Sequence, residues 1–394
     1  MKENIAWIDE AVIKIQEKMS WVSDKNKNKI PYTTNSDGSY DDRSDETINW
    51  GFTDGLDWWT NGFWGGIMWL LYQGTNDQKY AEYAKISEEK LEKTIENFYG
   101  IHHDVGFMFQ PTAAMNYRLT GNKNSRRICI HSANILAGRF NPAGNFIRAW
   151  NSHGDEEYKD CTTIENDVRG WAIVDCLMNL SQLYWATKET NDPRFYNIAV
   201  RHADTTMKYF VRDDGSVKHI VEFNPETGEV VKNYAGQGYD ENSSWSRGQA
   251  WGLYGFIISY IHTNKQEYLD IAKKIAHYCI SNLREDGLVP IDFRQPLAPA
   301  WEDSCGACIM ASGLLEIARY VPELEREIYR KAALKILKGI YDLRTDWSEN
   351  CDAIVLNCSS AYHDEKGRHI NMVYADYFFI EAIYKLKGIG LFVW

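Results

Sequence analysis

Four segments of this chain open in the same way, with Tyr followed by small and apolar residues at helical spacing. They are Tyr80-Ala81-Glu82-Tyr83-Ala84, Tyr196-Asn197-Ile198-Ala199, Tyr268-Leu269-Asp270-Ile271-Ala272 and Tyr329-Arg330-Lys331-Ala332-Ala333. Residues 125–140 read as a fifth, more divergent copy. Short polar turns precede most of these segments: Gly74-Thr75-Asn76-Asp77, Leu119-Thr120-Gly121-Asn122, Thr190-Asn191-Asp192-Pro193 and Thr263-Asn264-Lys265. Such turns carry the stop and cap residues expected between antiparallel helices. Beyond the second helix a turn often leads into a short extended piece, as at 141–147, 212–217 and 284–289. The repeating unit is therefore helix, turn, helix, loop, and 394 residues hold five or six of them. A unit of this kind buries its apolar faces only against its neighbours, which leaves an open solenoid or a closed ring. No terminal unit shows a polar outer face, and that favours closure. The predicted fold is all-α, an (α/α)6 barrel formed as a single domain over residues 1–394, with its loops gathered at one mouth. The polar segment 25–46 does not fit a helix and reads as a loop near the mouth or a mobile lid. Residues 234–246, rich in Gly, Asn and Ser, read as another long loop.

Composition narrows the function classes. The net charge of −12 and the lack of a long basic run argue against nucleic acid or an anionic membrane as partner. No stretch of about 18 apolar residues is present, so no span is expected. The N-terminus lacks an apolar signal core, and eight Cys scattered through apolar sequence read as reduced thiols, so a cytoplasmic location is expected. Cys305 and Cys308 form a lone CxxC without a second pair or nearby His, which does not make a zinc site. Aromatic residues make up 14% of the chain, with 15 Trp and 24 Tyr. Their apolar faces and polar edges suit the C–H faces and hydroxyl rims of sugars, although core filler accounts for many of them.

The chemistry points to two aspartates. His102-His103-Asp104-Val105-Gly106-Phe107-Met108-Phe109 and Trp171-Ala172-Ile173-Val174-Asp175-Cys176-Leu177-Met178 each embed an Asp in apolar sequence. A carboxyl group that loses water there favours its acid form and can donate a proton near neutral pH. Either Asp alone reads equally well as an N-cap or a partner for a buried Arg. The pair, in a chain this aromatic, suggests acid–base chemistry on a sugar. Gly55-Leu56-Asp57-Trp58-Trp59-Thr60-Asn61-Gly62-Phe63-Trp64-Gly65-Gly66 sets four large aromatics among small residues, whose glycines admit either a ligand or a tightly packed helix. Trp59 and Phe63, four apart, share a helical face as an aromatic wall. In Ser246-Arg247-Gly248-Gln249-Ala250-Trp251, Arg247 is a fork either for a ligand carboxylate, with Trp251 beside it, or for a structural acid. His219, just past a turn, reads on its own as a structural histidine.

Taken in order, these pieces resemble the unsaturated glucuronyl hydrolases of glycoside hydrolase family 88. The match runs through Trp59-Thr60-Asn61-Gly62-Phe63-Trp64, the His103-Asp104 segment, Phe146-Ile147-Arg148-Ala149-Trp150, the Asp175 segment, His219, Gln237 and the Arg247 segment, to the helix Ala311-Ser312-Gly313-Leu314-Leu315. The resemblance implies an (α/α)6 barrel with no metal and no cofactor. The implied activity is removal of an unsaturated uronate from lyase-generated glycosaminoglycan oligosaccharides, by hydration of its C4=C5 enol ether. Asp175 then matches the general acid/base and Asp104 the second essential carboxylate. His103, His219, Gln237 and Arg247 match residues that bind the uronate ring, while Trp59, Phe63, Trp150 and Trp251 shape the pocket. Ser359, Ser360 and Tyr362 fall where relatives hold an outer sugar. The chain departs from the family pattern in the long polar stretch 151–167. The implied partner is a small unsaturated disaccharide, taken by a monomer or weak homo-oligomer. An unsaturated rhamnogalacturonyl hydrolase, an inverting glycosidase on the same ring, and a non-catalytic sugar-binding protein are the alternatives.

Overall fold

A computed structural model describes residues 6–44, 55–96, 100–151 and 167–394 of the chain. The helices begin with α1 (Ala6–Asn26), α2 (Gly62–Thr75) and α3 (Gln78–Glu96). A composite helix follows: α4 (Val105–Phe109) runs through a π-turn (Gln110–Ala114) into α5 (Met115–Thr120). Pro111 lies in that turn, where its missing N–H loosens the ladder. Next come α6 (Lys123–Gly138), α7 (Cys176–Thr190), α8 (Pro193–Phe210), α9 (Ser246–Thr263), α10 (Gln266–Ser281), α11 (Ser304–Tyr320), α12 (Glu323–Leu343) and α13 (Val373–Lys387).

These elements form two concentric rings. Inside, α2, the α4–α5 composite, α7, α9, α11 and α13 each pack on the next, and α13 returns against α2 to close the circle. The barrel expected from the repeats is the fold observed. Inner helices are apolar almost all round; in α9 every residue from Ser246 to Ser259 is buried. The helices opened by Tyr80, Tyr196, Tyr268 and Tyr329 are α3, α8, α10 and α12, all in the outer ring, and α6 is the divergent copy. Tyr80, Tyr268 and Tyr329 are themselves buried against the inner ring.

The polar turns have one construction repeated four times. Thr75, Thr120, Thr190 and Thr263 each donate from the hydroxyl to the carbonyl four residues back, at Leu71, Asn116, Ala186 and Ser259. The same oxygens accept from the backbone N–H two residues on. Between them the chain turns through the left-handed region at Asn76, Gly121, Asn191 and Asn264, which ends the inner helix. Asn122 and Asp192 then cap the outer helix that follows.

Two small antiparallel sheets supplement the helices. Strand β1 (Phe140–Asn141) pairs with β2 (Phe146–Ile147), an extended piece the sequence anticipates. A second sheet, which it does not, has the order β3 (Trp171–Ile173), β4 (Ile220–Phe223), β5 (Val230–Tyr234). Of the anticipated lid, residues 27–44 are fixed in place. Asp41 Oδ1 accepts from the N–H groups of Tyr32 and Thr33, and the backbone N–H of Tyr40 donates to Asp352. The buried Tyr40 hydroxyl donates to Asp376. Lys25 and Asn26, read from sequence as part of the non-helical segment, are the last residues of α1. Residues 45–46 of that segment, and residues 152–166 of the long polar stretch, lie outside the described residues.

The turn geometry makes a direct prediction. At φ 56°, Asn191→Ala is expected to cost about 1 kcal/mol of stability in urea unfolding, while Asn191→Gly stays near wild type.

Candidate active site

All six inner helices run the same way, so their N-terminal ends meet at one mouth. There the chain places Trp59 ahead of α2, Asp104 ahead of α4, Asp175 ahead of α7, Arg247 in the first turn of α9, Asp303 ahead of α11 and Tyr374 in the first turn of α13. The partial positive charge of each helix N-terminus adds to the same space, which favours an anionic ligand.

The three-stranded sheet sets the position of Asp175. Ile173 pairs with Ile220 at the end of the β3–β4 ladder, and the N–H of Val174 donates to the His219 carbonyl at 3.1 Å. Asp175 and His219 therefore emerge side by side, one leaving β3 and the other entering β4. Gly236 lets the next loop close over His219. At φ +58° a side chain there is strained, and a Cβ would lie 2.0 Å from His219 Nδ1. That nitrogen accepts from the Gln237 N–H at 3.0 Å. The ring packs 4.2 Å from Trp245, and burial lowers its pKa to about 3, so the imidazole is neutral.

Asp104 and Asp175 have opposite surroundings. Asp104 Oδ2 lies 3.3 Å from His103 Nε2 and 3.5 Å from His102 Nδ1, and Oδ1 accepts from Asn179 Nδ2 at 3.0 Å. Burial pushes its pKa up, but the His103 imidazole and these donors outweigh that and hold it below the usual carboxylate range. Asp175 Oδ1 is buried without a hydrogen-bond partner, while the residue as a whole keeps partial access. Burial and then the negative charge of Asp104 raise its pKa well above the ordinary value, against a smaller opposing effect of Arg247. Asp104 is thus the readier of the two to ionise, and Asp175 the readier to hold a proton.

His102, His103 and Asp104 also bring possible metal-ligating atoms within 4.8 Å of one another. Among the described residues no fourth His, Cys or carboxylate joins them, and the spacing suits imidazole–carboxylate hydrogen bonding equally well.

The other predicted positions divide. Trp59 is partly accessible and meets Phe63 at 6.2 Å, Phe107 at 5.5 Å and Tyr374 at 5.1 Å. Trp150 is partly accessible beside Trp171 at 5.7 Å, in a small cluster that includes Tyr234. Phe63 and Trp251 are fully buried, packed against Phe107 and Phe378. The glycines of their neighbourhood serve packing, since a Cβ on Gly62 would meet the backbone of Phe107 and Met108. Arg247 does not present the open fork expected for a ligand. It bonds Asp303 at 2.7 Å and the carbonyls of Ser359 and Ser360 at 2.6 and 2.7 Å. Its stacking partner is Trp245 at 4.6 Å, not Trp251. Asp303 raises its pKa despite burial. Gln237 Nε2 donates to the Ser360 carbonyl at 2.9 Å, so the same loop is held from two sides.

The outer positions need a similar correction. Ser359 is buried with its hydroxyl given to Glu302, and the Ser360 hydroxyl is given to Asp364. Tyr362 is largely buried in a rim cluster with Tyr239 at 4.9 Å and Trp301 at 5.1 Å. At the far mouth, a hollow of about 620 Å³ is lined by Glu316, Arg319, Lys385 and Phe392 among others. Its buried Glu316 is paired with Lys385 at 3.2 Å and lies at the helix C-termini, where cations are favoured.

Sequence reasoning left three participants unassigned. Asn179 stands four residues after Asp175 in an apolar inner helix, and a buried amide in such a place has to find partners. Asp303 and Trp245 had no such signal, because they meet Arg247 and His219 only through the fold.

A family model described as Glycosyl Hydrolase Family 88 matches residues 18–393. The unsaturated glucuronyl hydrolase of Bacillus sp. (strain GL1) is 32% identical over 353 residues, which cover 87% of this chain and 90% of that protein. Its crystal structure has a TM-score of 0.85 and covers 96% of each chain at 28% identity. The unsaturated chondroitin disaccharide hydrolase of Streptococcus agalactiae serotype III (strain NEM316) is 31% identical over 338 residues, covering 82% of this chain and 80% of that protein. A mutant unsaturated glucuronyl hydrolase from Streptococcus agalactiae, complexed with dGlcA-GalNAc6S, has a TM-score of 0.79 at 26% identity, covering 96% of this chain and 91% of that one.

The raised pKa of Asp175 has a measurable cost. Between the ordinary carboxyl range near pH 4 and the raised value, the native state binds a proton that the unfolded chain has lost. Stability therefore falls as pH rises through that window. Asp175→Asn cannot ionise, and is expected to melt above wild type at neutral pH and to lose that advantage below about pH 4 in thermal scans.

Proposed function

Because the chain belongs to Glycosyl Hydrolase Family 88, we propose that Asp175 and Asp104 hydrate the C4=C5 double bond of an unsaturated uronate at the non-reducing end of a glycosaminoglycan oligosaccharide. The observation that carries this reading is the unequal pair: Asp175, whose Oδ1 is buried without a hydrogen-bond partner and whose pKa burial raises, beside Asp104, which His103 and Asn179 hold below the usual carboxylate range. An enol ether needs a proton at carbon as its first step, and a desolvated carboxyl group supplies one where an exposed Asp has already lost it.

Asp175 delivers its proton to C4, and positive charge develops at C5, shared with the ring oxygen. The ionised Asp104 and the carboxylate left on Asp175 stabilise that charge in a site shielded from bulk water. Water then adds at C5, and the Asp175 carboxylate takes the proton the water gives up, which restores the starting acid. The hemiketal so formed opens and expels the rest of the sugar. No displacement occurs at the anomeric carbon, so the carboxylate spacings that separate inverting from retaining enzymes do not apply.

Binding follows from the mouth. The converging helix N-termini favour the uronate carboxylate, and the accessible faces of Trp59 and Trp150 suit the sugar's C–H surfaces. His103 and neutral His219 offer ring nitrogens to hydroxyls, and Gln237 closes the same side. Arg247 acts by fixing the loop through Ser359 and Ser360, and Tyr362 belongs to an aromatic rim suited to the next sugar. The chondroitin and glucuronyl hydrolase relatives support a glycosaminoglycan disaccharide as substrate. We assign the chain as one catalytic unit, as the closed inner ring supports. A reducing, cytoplasmic setting fits its buried free thiols at Cys129, Cys176 and Cys279. No helix among the described residues is long and apolar enough to cross a membrane.

Hydration removes the ultraviolet absorbance of the double bond. Wild type is expected to erase it on unsaturated chondroitin or hyaluronan disaccharides, with a rate that falls as pH rises past the Asp175 pKa. Asp175→Asn is expected to lose at least about 10²-fold in kcat with the fold intact; full turnover by that variant removes Asp175 from the role.

A further inference from the structure

Asn179 is fully buried, yet among the described residues it is the one side chain hydrogen-bonded to both helix starts that carry the acid pair. Its Oδ1 accepts from the backbone N–H of Phe107 at 2.7 Å. Because that backbone group can only donate, the amide orientation is settled, and Nδ2 must face the other way. There Nδ2 donates to Asp104 Oδ1 at 3.0 Å and to the backbone carbonyl of Asp175 at 3.3 Å. Nothing is given to the Asp175 side chain, whose Oδ1 is buried without a partner. Gly106 makes the contact possible: a Cβ there would sit 2.7 Å from Asn179 Oδ1 and 2.8 Å from its Cα.

We infer that Asn179 is a positioning residue that assigns the shared proton, by stabilising the ionised form of Asp104 and leaving Asp175 as the acid. The inference rests on the reading of Asp175 as proton donor. Two carboxylates that feel each other's charge titrate as a pair, and the pair's first proton leaves whichever oxygen is better supplied with donors. Asp104 has two such donors, His103 and Asn179. Without the amide it gives up part of that advantage. The proton then spends more time on Asp104, where it faces no alkene, and Asp175 is left ionised in those molecules. Asn179 touches no reacting atom; it acts through Asp104.

The test compares wild type with Asn179→Ala and with Asn179→Leu, which keeps the shape of the side chain without its donor should the smaller one fold poorly. On an unsaturated chondroitin disaccharide, kcat is expected to fall about a hundredfold with KM within about threefold. The acid limb of the pH profile, where Asp104 must be ionised, is expected to move up by about one pH unit. A residue with a merely structural role would lower the rate equally at every pH, and that result, or an unshifted limb at any rate, overturns the inference. A second readout needs no substrate. Carbon-13 carboxyl titration is expected to show the gap between the Asp104 and Asp175 pKa values narrowing in both variants; an unchanged gap overturns it. Should wild type leave the substrate's absorbance untouched, the proposed function fails while the titration still decides the role of Asn179.

Discussion

An ionised carboxylate at position 104 makes ionisation at position 175 costly, because the two share a site from which most water is excluded. Donors are distributed unequally between them. His103 and Asn179 serve Asp104, whereas Asp175 Oδ1 is buried with none. This asymmetry turns a pair of similar side chains into an acid and its electrostatic partner. Its cost is carried by the fold, since a desolvated acid contributes nothing to stability at neutral pH and subtracts from it.

The ring of helices is what allows such a site to persist. Four of the six inner helices, α2, the α4–α5 composite, α7 and α9, are ended by the same threonine and left-handed turn, and the helix N-termini gather at one mouth. The β3–β4 ladder then fixes where Asp175 leaves the sheet, relative to His219 on the neighbouring strand. Behind these groups lies a floor of buried rings, Phe63, Phe107, Trp251 and Phe378, packed 5.0 to 5.6 Å apart. A polar network of Asp303, Arg247 and Gln237 anchors the loop at 359–360 from beneath. Chemistry sits on helix ends and strand ends rather than on free loops, which suits a reaction that needs a proton aimed at one carbon.

Much of this was legible before the structure. The Tyr-opened segments and the Thr-Asn turns are local signals, and local hydrogen bonding fixes them, so the hairpins and their closure could be read from the chain. Asp104 and Asp175 stood out because an acid in apolar sequence is rare without a purpose. Arg247 illustrates what was not legible. A buried Arg and a fork for a ligand look alike in sequence, and only the approach of Asp303, 56 residues away, decides between them. The same holds for Phe63 and Trp251, whose helical spacing gave their face but not their depth. Ser359 and Ser360, expected where an outer sugar binds, have their hydroxyls committed within the protein, to the Glu302 carbonyl and to Asp364. The sheet β3–β4–β5 was missed because its strands are short, and two of them meet across 46 residues of intervening chain, from Ile173 to Ile220.

The central claim concerns a single proton, and infrared spectroscopy reads it directly. A protonated carboxyl group absorbs at a carbonyl frequency that a carboxylate lacks. At neutral pH the account requires such a band in the resting protein that vanishes in Asp175→Asn and titrates at lower pH in Asp104→Asn, where the neighbouring charge is gone. A spectrum in which Asp175→Asn removes no carbonyl band at neutral pH would contradict it.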